Sequence, residues 1–185
     1  ENRSWKPLNE ISPYIQHAFV AVEDENFYTH PGFSFKRTVL AAINEVFRKL
    51  TGSYLTGSPL GASTIEQQLI KNITGEDESS GIEGYSRRAK EIFRAIALDN
   101  RFSKEEILEA YLNTIGLSGN TAGVEAGANQ YFGKSAADVT IAEAASIAAI
   151  TKNPSRFNPY TNPEEHLKRR DDIILFMQQQ GYITQ

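Results

Sequence analysis

The chain has no cysteine. Disulfides, thiolate metal ligands and a cysteine nucleophile are therefore excluded, and either redox compartment suits it. It also lacks any apolar run approaching the roughly 18 residues that a membrane span requires, and no secretory leader is visible. An excess of positive charge is missing too. The net charge of −4 argues against nucleic acid as a main partner, while leaving room for a local basic cleft. No internal repeat and no strand-rich block can be found. What is present is material for a core: of 185 residues, 40% are hydrophobic and 23% charged, the balance of an ordered domain. The length suits one domain with room for two lobes. Neither end looks like a natural terminus, as in a domain cut from a longer protein.

The most informative stretch is Glu23-Asp24-Glu25-Asn26-Phe27-Tyr28-Thr29-His30-Pro31-Gly32. A helix is expected to begin at Ser12-Pro13, with Ser as cap and Pro at the first helical position. Ile15, Phe19 and Val22 form its apolar stripe at 100° per residue. Three acids at the end of that helix sit against its negative pole, locally unfavourable by roughly 0.3–1 kcal/mol each. Either they merely close a surface helix, or one of them does acid/base work. Helical phase puts Glu23 at the edge of the stripe, where a carboxyl is a candidate for a raised pKa. Asp24 is expected to point the other way, and Glu25 to lie on the surface.

The rest reads as nearly all helix. Phe35, Val39, Ala42, Ile43, Val46, Phe47 and Leu50 recur at helical spacing. Thr51 to Gly61 is then a loop rich in both glycine and apolar side chains. It either folds over the core or meets lipid. Ser63 and Glu66 have capping-box spacing, with Ile65, Leu69 and Ile73 as the buried face. Thr64, Gln67, Gln68 and Lys71 share another face, either solvated or suited to a polyoxygenated ligand. Thr74 to Gly84 reads as a linker without EF-hand spacing. From Tyr85 to Arg101, Ala89, Ile92 and Ile96 face the core, and Arg87, Glu91 and Arg94 share a second face. Arg87, Arg88 and Lys90 with Glu91 make either a salt-bridged surface or a seat for a diphosphate. Ser103 with Glu106 and Thr140 with Glu143 repeat the capping box. Gly116 to Gly123 is a turn, and Val124 to Phe132 a short helix stopped by Gly133. The alanine-rich helix to Thr151 suits a central core helix rather than a site. Asn162 is expected to cap a last helix, with Pro163 at its first position and Leu167, Ile173, Ile174 and Met177 as its anchors.

Several of these motifs stand in one order that resembles the peptidoglycan glycosyltransferase domain of family 51, found in class A penicillin-binding proteins and monofunctional transglycosylases. The opening stretch is similar to E-D-x-x-F-x-x-H-x-G. Gly61 to Gln68, followed by Lys71-Asn72, is similar to G-x-S-T-I-T-Q-Q with K-N. Arg87-Arg88-Ala89-Lys90-Glu91 resembles R-K-x-x-E. Ile107 to Ile115 contains the Leu-Glu-x-Tyr-Leu-Asn motif, Tyr131 to Lys134 is family-like, and Arg169, Ile173, Ile174 and Met177 fit R-x-x-x-V-L-x-x-M. Three departures are plain. Glu66 stands for Thr, for which capping offers a local reason. Arg88 stands for Lys, and Gly116-Leu117 for an aromatic pair.

The resemblance implies an all-α, lysozyme-like fold: residues 1–185 as a single glycosyltransferase domain, with a large lobe and a small membrane-facing jaw at about 33–60. It implies a reaction in which the 4-hydroxyl of lipid II attacks the glycan carried on undecaprenyl pyrophosphate, with inversion. Glu23 would be the base and Glu91 a second catalytic carboxylate that orients the basic cluster. Asp24, Phe27, His30, Thr64, Gln68, Lys71, Asn72, Arg87 and Arg88 would serve the substrate. No cofactor is obligatory; Mg or Mn beside Glu91 is the optional metal. The implied partners are lipid II, the membrane surface and, in class A members, a fused transpeptidase domain, with no nucleic acid. The implied location is the extracytoplasmic face of a bacterial membrane, by way of an anchoring helix outside this chain. Tyr111, Leu112 and Asn113 would shape the fold beneath the site. The rivals are a glycan-cleaving enzyme of the same fold, which has little need of the basic cluster, and a non-catalytic binding domain.

Overall fold

The computed structural model describes residues 4–56, 61, 63–75, 82–118 and 121–184. Among them are eight α-helices: α1 (Pro13–Glu23), α2 (Phe35–Thr51), α3 (Ile65–Thr74), α4 (Ile82–Arg101), α5 (Lys104–Thr114), α6 (Val124–Phe132), α7 (Ile141–Lys152) and α8 (Pro163–Gln179). The turn expected after α5 is a small antiparallel hairpin, β1 (Gly116–Ser118) with β2 (Thr121–Ala122).

The body is built around α7. Residues 144–150 of this helix are all buried, so it is apolar on every side, as a central helix must be. Its alanines let α1 and α8 pack closely along it. Behind α1, Phe19 meets Tyr111 of α5 edge to face, with ring centroids 5.9 Å apart. The helices α3, α4 and α5 pack together on the other side.

The helix starts follow local chemistry. Ser12 accepts from the Tyr14 amide ahead of Pro13. Complete capping boxes open α5 at Ser103/Glu106 and α7 at Thr140/Glu143, each cap being worth about 1 kcal/mol. The box of α3 is one residue later than its spacing suggested: Thr64 and Gln67 form it, not Ser63 and Glu66. The Asn162 amide before α8 donates to the Ser155 carbonyl, 3.0 Å away, instead of capping the helix. The helix α4 begins at Ile82, earlier than expected, while residues 76–81 of the predicted linker lie outside the described residues.

Three positions assigned to the core are exposed. Ile73, in the last turn of α3, is 65% exposed and lines an open groove with Leu98 and Phe102. On α4, Ala95 takes the buried place that Ala89 was expected to share. On α8, Leu167 is exposed, and its neighbour His166 is buried with Nδ1 2.9 Å from the Phe157 carbonyl oxygen.

Two segments stand out against this body. Residues 5–8 form a strap across α5. The Trp5 indole donates to Glu109 at 2.9 Å, the Leu8 amide donates to the same carboxylate at 2.8 Å, and Lys6 exchanges two backbone bonds with the Asn113 amide. The helix α2 is the other. Its only buried residue is Asn44, and no other element packs along it at length among the described residues. Phe35 and Leu50 are 72% and 81% exposed, with Val39, Ile43 and Val46 between them. Its apolar stripe therefore faces outward. The turn after it is held by the Thr56 amide on Asn44 Oδ1 and by Arg48 over the Tyr54 ring. Within the predicted apolar loop, residues 57–60 lie outside the described residues.

Candidate active site

The site forms where α1 ends. Glu23 is its last residue; Asp24 leaves the helix at φ −157°, so helical phase no longer governs it. Instead of pointing away, the Asp24 side chain is completely buried. It accepts from Arg37 Nη1 at 3.0 Å, from the Ile65 amide at 3.1 Å, and from His30 Nε2 at 2.8 Å. As a carboxylate only accepts, Nε2 is the donor of the His30–Asp24 bond. Asp24 thus places a negative charge on the first turn of α3, the favourable end.

This turn brings a chain of polar groups to Glu23. The buried Tyr111 hydroxyl donates to Gln68 Oε1 at 2.9 Å, and Gln68 Nε2 donates to Glu23 Oε2 at 2.9 Å. Burial, helped by the charges of Glu23 and Asp24, pushes the Tyr111 hydroxyl well above its usual range, so it stays a donor. Gln67 satisfies the α3 cap through Oε1 and donates Nε2 to Glu91 at 3.0 Å. Burial also raises the Glu91 carboxyl above the usual range, against the opposing pull of Arg87, Arg88, Gln67 and Lys71.

Glu23, Gln68, Lys71, Asn72, Arg87, Arg88 and Glu91 line one cleft of about 430 Å³. Six cations border it against two carboxylates, so a chain of net charge −4 carries a locally positive cavity. Such walls concentrate an anionic ligand. A second cavity of about 330 Å³ shares Val22, Glu23, Arg37 and Gly61 with the first and adds Leu40 and Phe176. Glu23 therefore borders a cationic cavity on one side and a more apolar one on the other.

The remaining expected residues build the site rather than line it. Asp24, Phe27 and Thr64, all grouped with the substrate-serving residues, expose no surface, so in this structure none of the three reaches the cleft; of them, Thr64 is the one that had been expected to meet sugar or phosphate. Thr64 donates its hydroxyl to the Gly32 carbonyl at 2.8 Å. His30 is nearly buried behind Asp24. Lys104 Nζ stands 4.7 Å from the Phe27 ring centroid and donates to the His30 carbonyl at 2.9 Å. Conversely, sequence reasoning missed Arg37, Thr151, Lys152 and Arg169, all on the cleft. Arg169 had a signal in its motif. Thr151 and Lys152 end the helix assigned wholly to the core, and a lysine closing an apolar helix was the available hint. Arg94, grouped with Glu91, instead lines a separate groove with Phe102.

Glu66 needs a different explanation from capping. It is completely buried; Lys104 Nζ lies 2.6 Å from its Oε1, and Oε2 has no partner among the described residues. Burial pushes its carboxyl above the usual range, with Lys104 pulling the other way. A raised carboxyl keeps its proton in the fold after the unfolded chain has lost it. That stability is complete below the ordinary carboxylate range and is lost as pH rises through the raised folded value. The uncharged Glu66→Gln is expected to flatten this part of the curve. Denaturation midpoints from about pH 4 to about pH 8 check it, and a slope equal to wild type would refute it.

The family model described as transglycosylase matches residues 1–178. The chain is 41% identical over 187 residues to penicillin-binding protein 2D of Bacillus subtilis, covering 100% of this chain and 25% of that protein. It is 38% identical over 184 residues to penicillin-binding protein 1F of the same organism, covering 100% and 24%. Penicillin-binding protein 1A of Clostridium botulinum is 40% identical over 190 residues, with coverage of 100% and 22%. The chain thus spans about a quarter of the length of these curated relatives.

Proposed function

The chain belongs to the transglycosylase family, and from that premise we propose that it polymerises lipid II into β-1,4-linked glycan with inversion, releasing undecaprenyl pyrophosphate. The observation that carries this reading is Glu23 at the boundary between a cationic and a more apolar cavity. The 4-hydroxyl oxygen of lipid II attacks the anomeric carbon of the glycan donor, and Glu23 takes the hydroxyl proton. The bond from that carbon to the diphosphate oxygen breaks, and the diphosphate leaves with the electron pair. A sugar hydroxyl is a weak nucleophile, so the positioned base matters. Charge developing on the diphosphate is met by Lys71, Arg87 and Arg88, with Lys152 and Arg169 on the same cleft. Gln68 and Asn72 offer amides to sugar or phosphate.

Glu91 serves by holding Arg87, whose Nη1 lies 3.7 Å from its Oε2. Its surroundings do not fit Mg or Mn. One carboxylate, already engaged by Gln67 and Arg87, stands among cations, whereas such ions need a shell of oxygen ligands.

The substrate's carrier is a lipid, and the outward apolar stripe of α2 suits a membrane surface. No helix among the described residues is long and apolar enough to cross a membrane. In this reading residues 33–60 form a membrane-facing jaw on a single domain, at the extracytoplasmic face of a bacterial membrane. A fused transpeptidase domain accords with the greater length of the relatives.

Labelled lipid II incubated with the chain tests the reaction. Growth of glycan chains is expected. Only shortening of preformed glycan would overturn it in favour of a hydrolase, an enzyme with no diphosphate to leave and little use for the cations.

A further inference from the structure

The side chain that ties α2 to the body is Arg37. Its Nη2 donates to the Glu23 carbonyl at 2.9 Å and to the Gly61 carbonyl at 3.1 Å; Nε also donates to Gly61, at 3.3 Å, and Nη1 donates to Asp24 at 3.0 Å. Four of the five N–H groups that a guanidinium carries thus meet the chain's own oxygens. The Arg37 side chain is largely enclosed, at 23% exposure, and borders both cavities. A cation serving only the substrate would leave its donors open to the cleft. Arg37 instead joins the end of α1, the first turn of α2 and the turn at Gly61 through one rigid fork.

We propose that Arg37 is a positioning residue that fixes the Glu23 carboxylate relative to the outward-facing helix α2. The inference rests on Glu23 acting as base in the proposed reaction, and it adds the device that keeps Glu23 in register. Among the described residues no other element packs along α2 at length, and the orientation of the apolar helix reaches Glu23 through this fork.

The test compares Arg37→Lys and Arg37→Met with wild type. Lysine keeps a positive charge near Asp24, but one ammonium cannot reproduce the fork across Glu23 and Gly61. In steady-state polymerisation of lipid II, kcat is expected to fall about tenfold for lysine and about 10²-fold for methionine, with KM within about threefold of wild type. Hydrogen exchange at residues 21–24 and 35–40 is expected to quicken in both, relative to α7 amides. The lysine variant decides, because Arg37→Met also strips the buried Asp24 of a cation and loses stability. Wild-type kcat in folded Arg37→Lys, or a loss confined to KM, overturns the proposal. If wild type does not polymerise lipid II, the proposed reaction fails by itself. Exchange then decides alone: quickened exchange sustains the tie and unchanged exchange overturns it.

Discussion

Glu23→Gln is expected to lower polymerisation of lipid II by about 10²–10⁴-fold, the usual worth of a positioned base, while leaving the fold intact. The substitution keeps the shape of the side chain and removes its capacity to take a proton. The amide oxygen can still accept the bond from Gln68 that Glu23 accepts at 2.9 Å, so the polar chain back to Tyr111 has no reason to break. Glu23 lies on the cavity wall rather than in the core, and the change leaves no buried charge unpaired. The helical circular dichroism and the unfolding midpoint should therefore match wild type. Gel separation of labelled glycan gives the rate. Polymerisation at the wild-type rate would remove Glu23 from the chemistry.

Gly32→Ala carries the largest expected cost in stability. Gly32 has φ +81°, and a Cβ there would stand 2.7 Å from the Ala95 carbonyl carbon and closer still to its oxygen. Neither partner can yield cheaply: the obstacle is the backbone of α4 beside a buried residue, not a flexible side chain. Left-handed strain and this overlap together should cost about 3 kcal/mol, a fall in Tm of roughly 6–12 °C for a chain of this size. Gly52→Ala is the matched control. It has φ +78° but nothing within 4 Å of the added Cβ, so it carries strain alone, about 1–2 kcal/mol. Equal losses in the two variants would show that the close approach to α4 contributes nothing. The turn also supplies the carbonyl that accepts from Thr64, so catalytic rate should fall along with stability.

How far the sequence disclosed this arrangement depends on whether each decision was local. The caps at Ser12, Ser103 and Thr140 use neighbouring residues and were readable. So was the all-round apolar α7. Ser63-Thr64-Ile65-Glu66-Gln67-Gln68 offers two capping boxes one residue apart. What selects the later one is distant in sequence: the Ile65 amide bonds to Asp24, and the Thr64 hydroxyl to Gly32. Glu66 was misread as a result, since its partner Lys104 lies 38 residues away. In α2 the periodicity gave the stripe but not the side that it faces, because period alone cannot tell core from an exposed apolar face. The candidate carboxylates and the cations of α3 and α4 were legible from motifs. Arg37 was not, for a single arginine in a helix carries no sign that its bonds converge on Glu23.

Trp5 is the only tryptophan of the chain, and it sits in the strap bound to Glu109. Intrinsic fluorescence excited at the indole is therefore a reporter of that strap and of little else. At 56% exposure the ring should emit well to the red of a core tryptophan and be open to a soluble quencher. A melt followed by fluorescence reads release of residues 5–8 from α5; one followed by circular dichroism reads the helices. The two curves coincide only if strap and body let go as one unit. An earlier fluorescence transition would therefore say nothing about the state of the cleft beside Glu23.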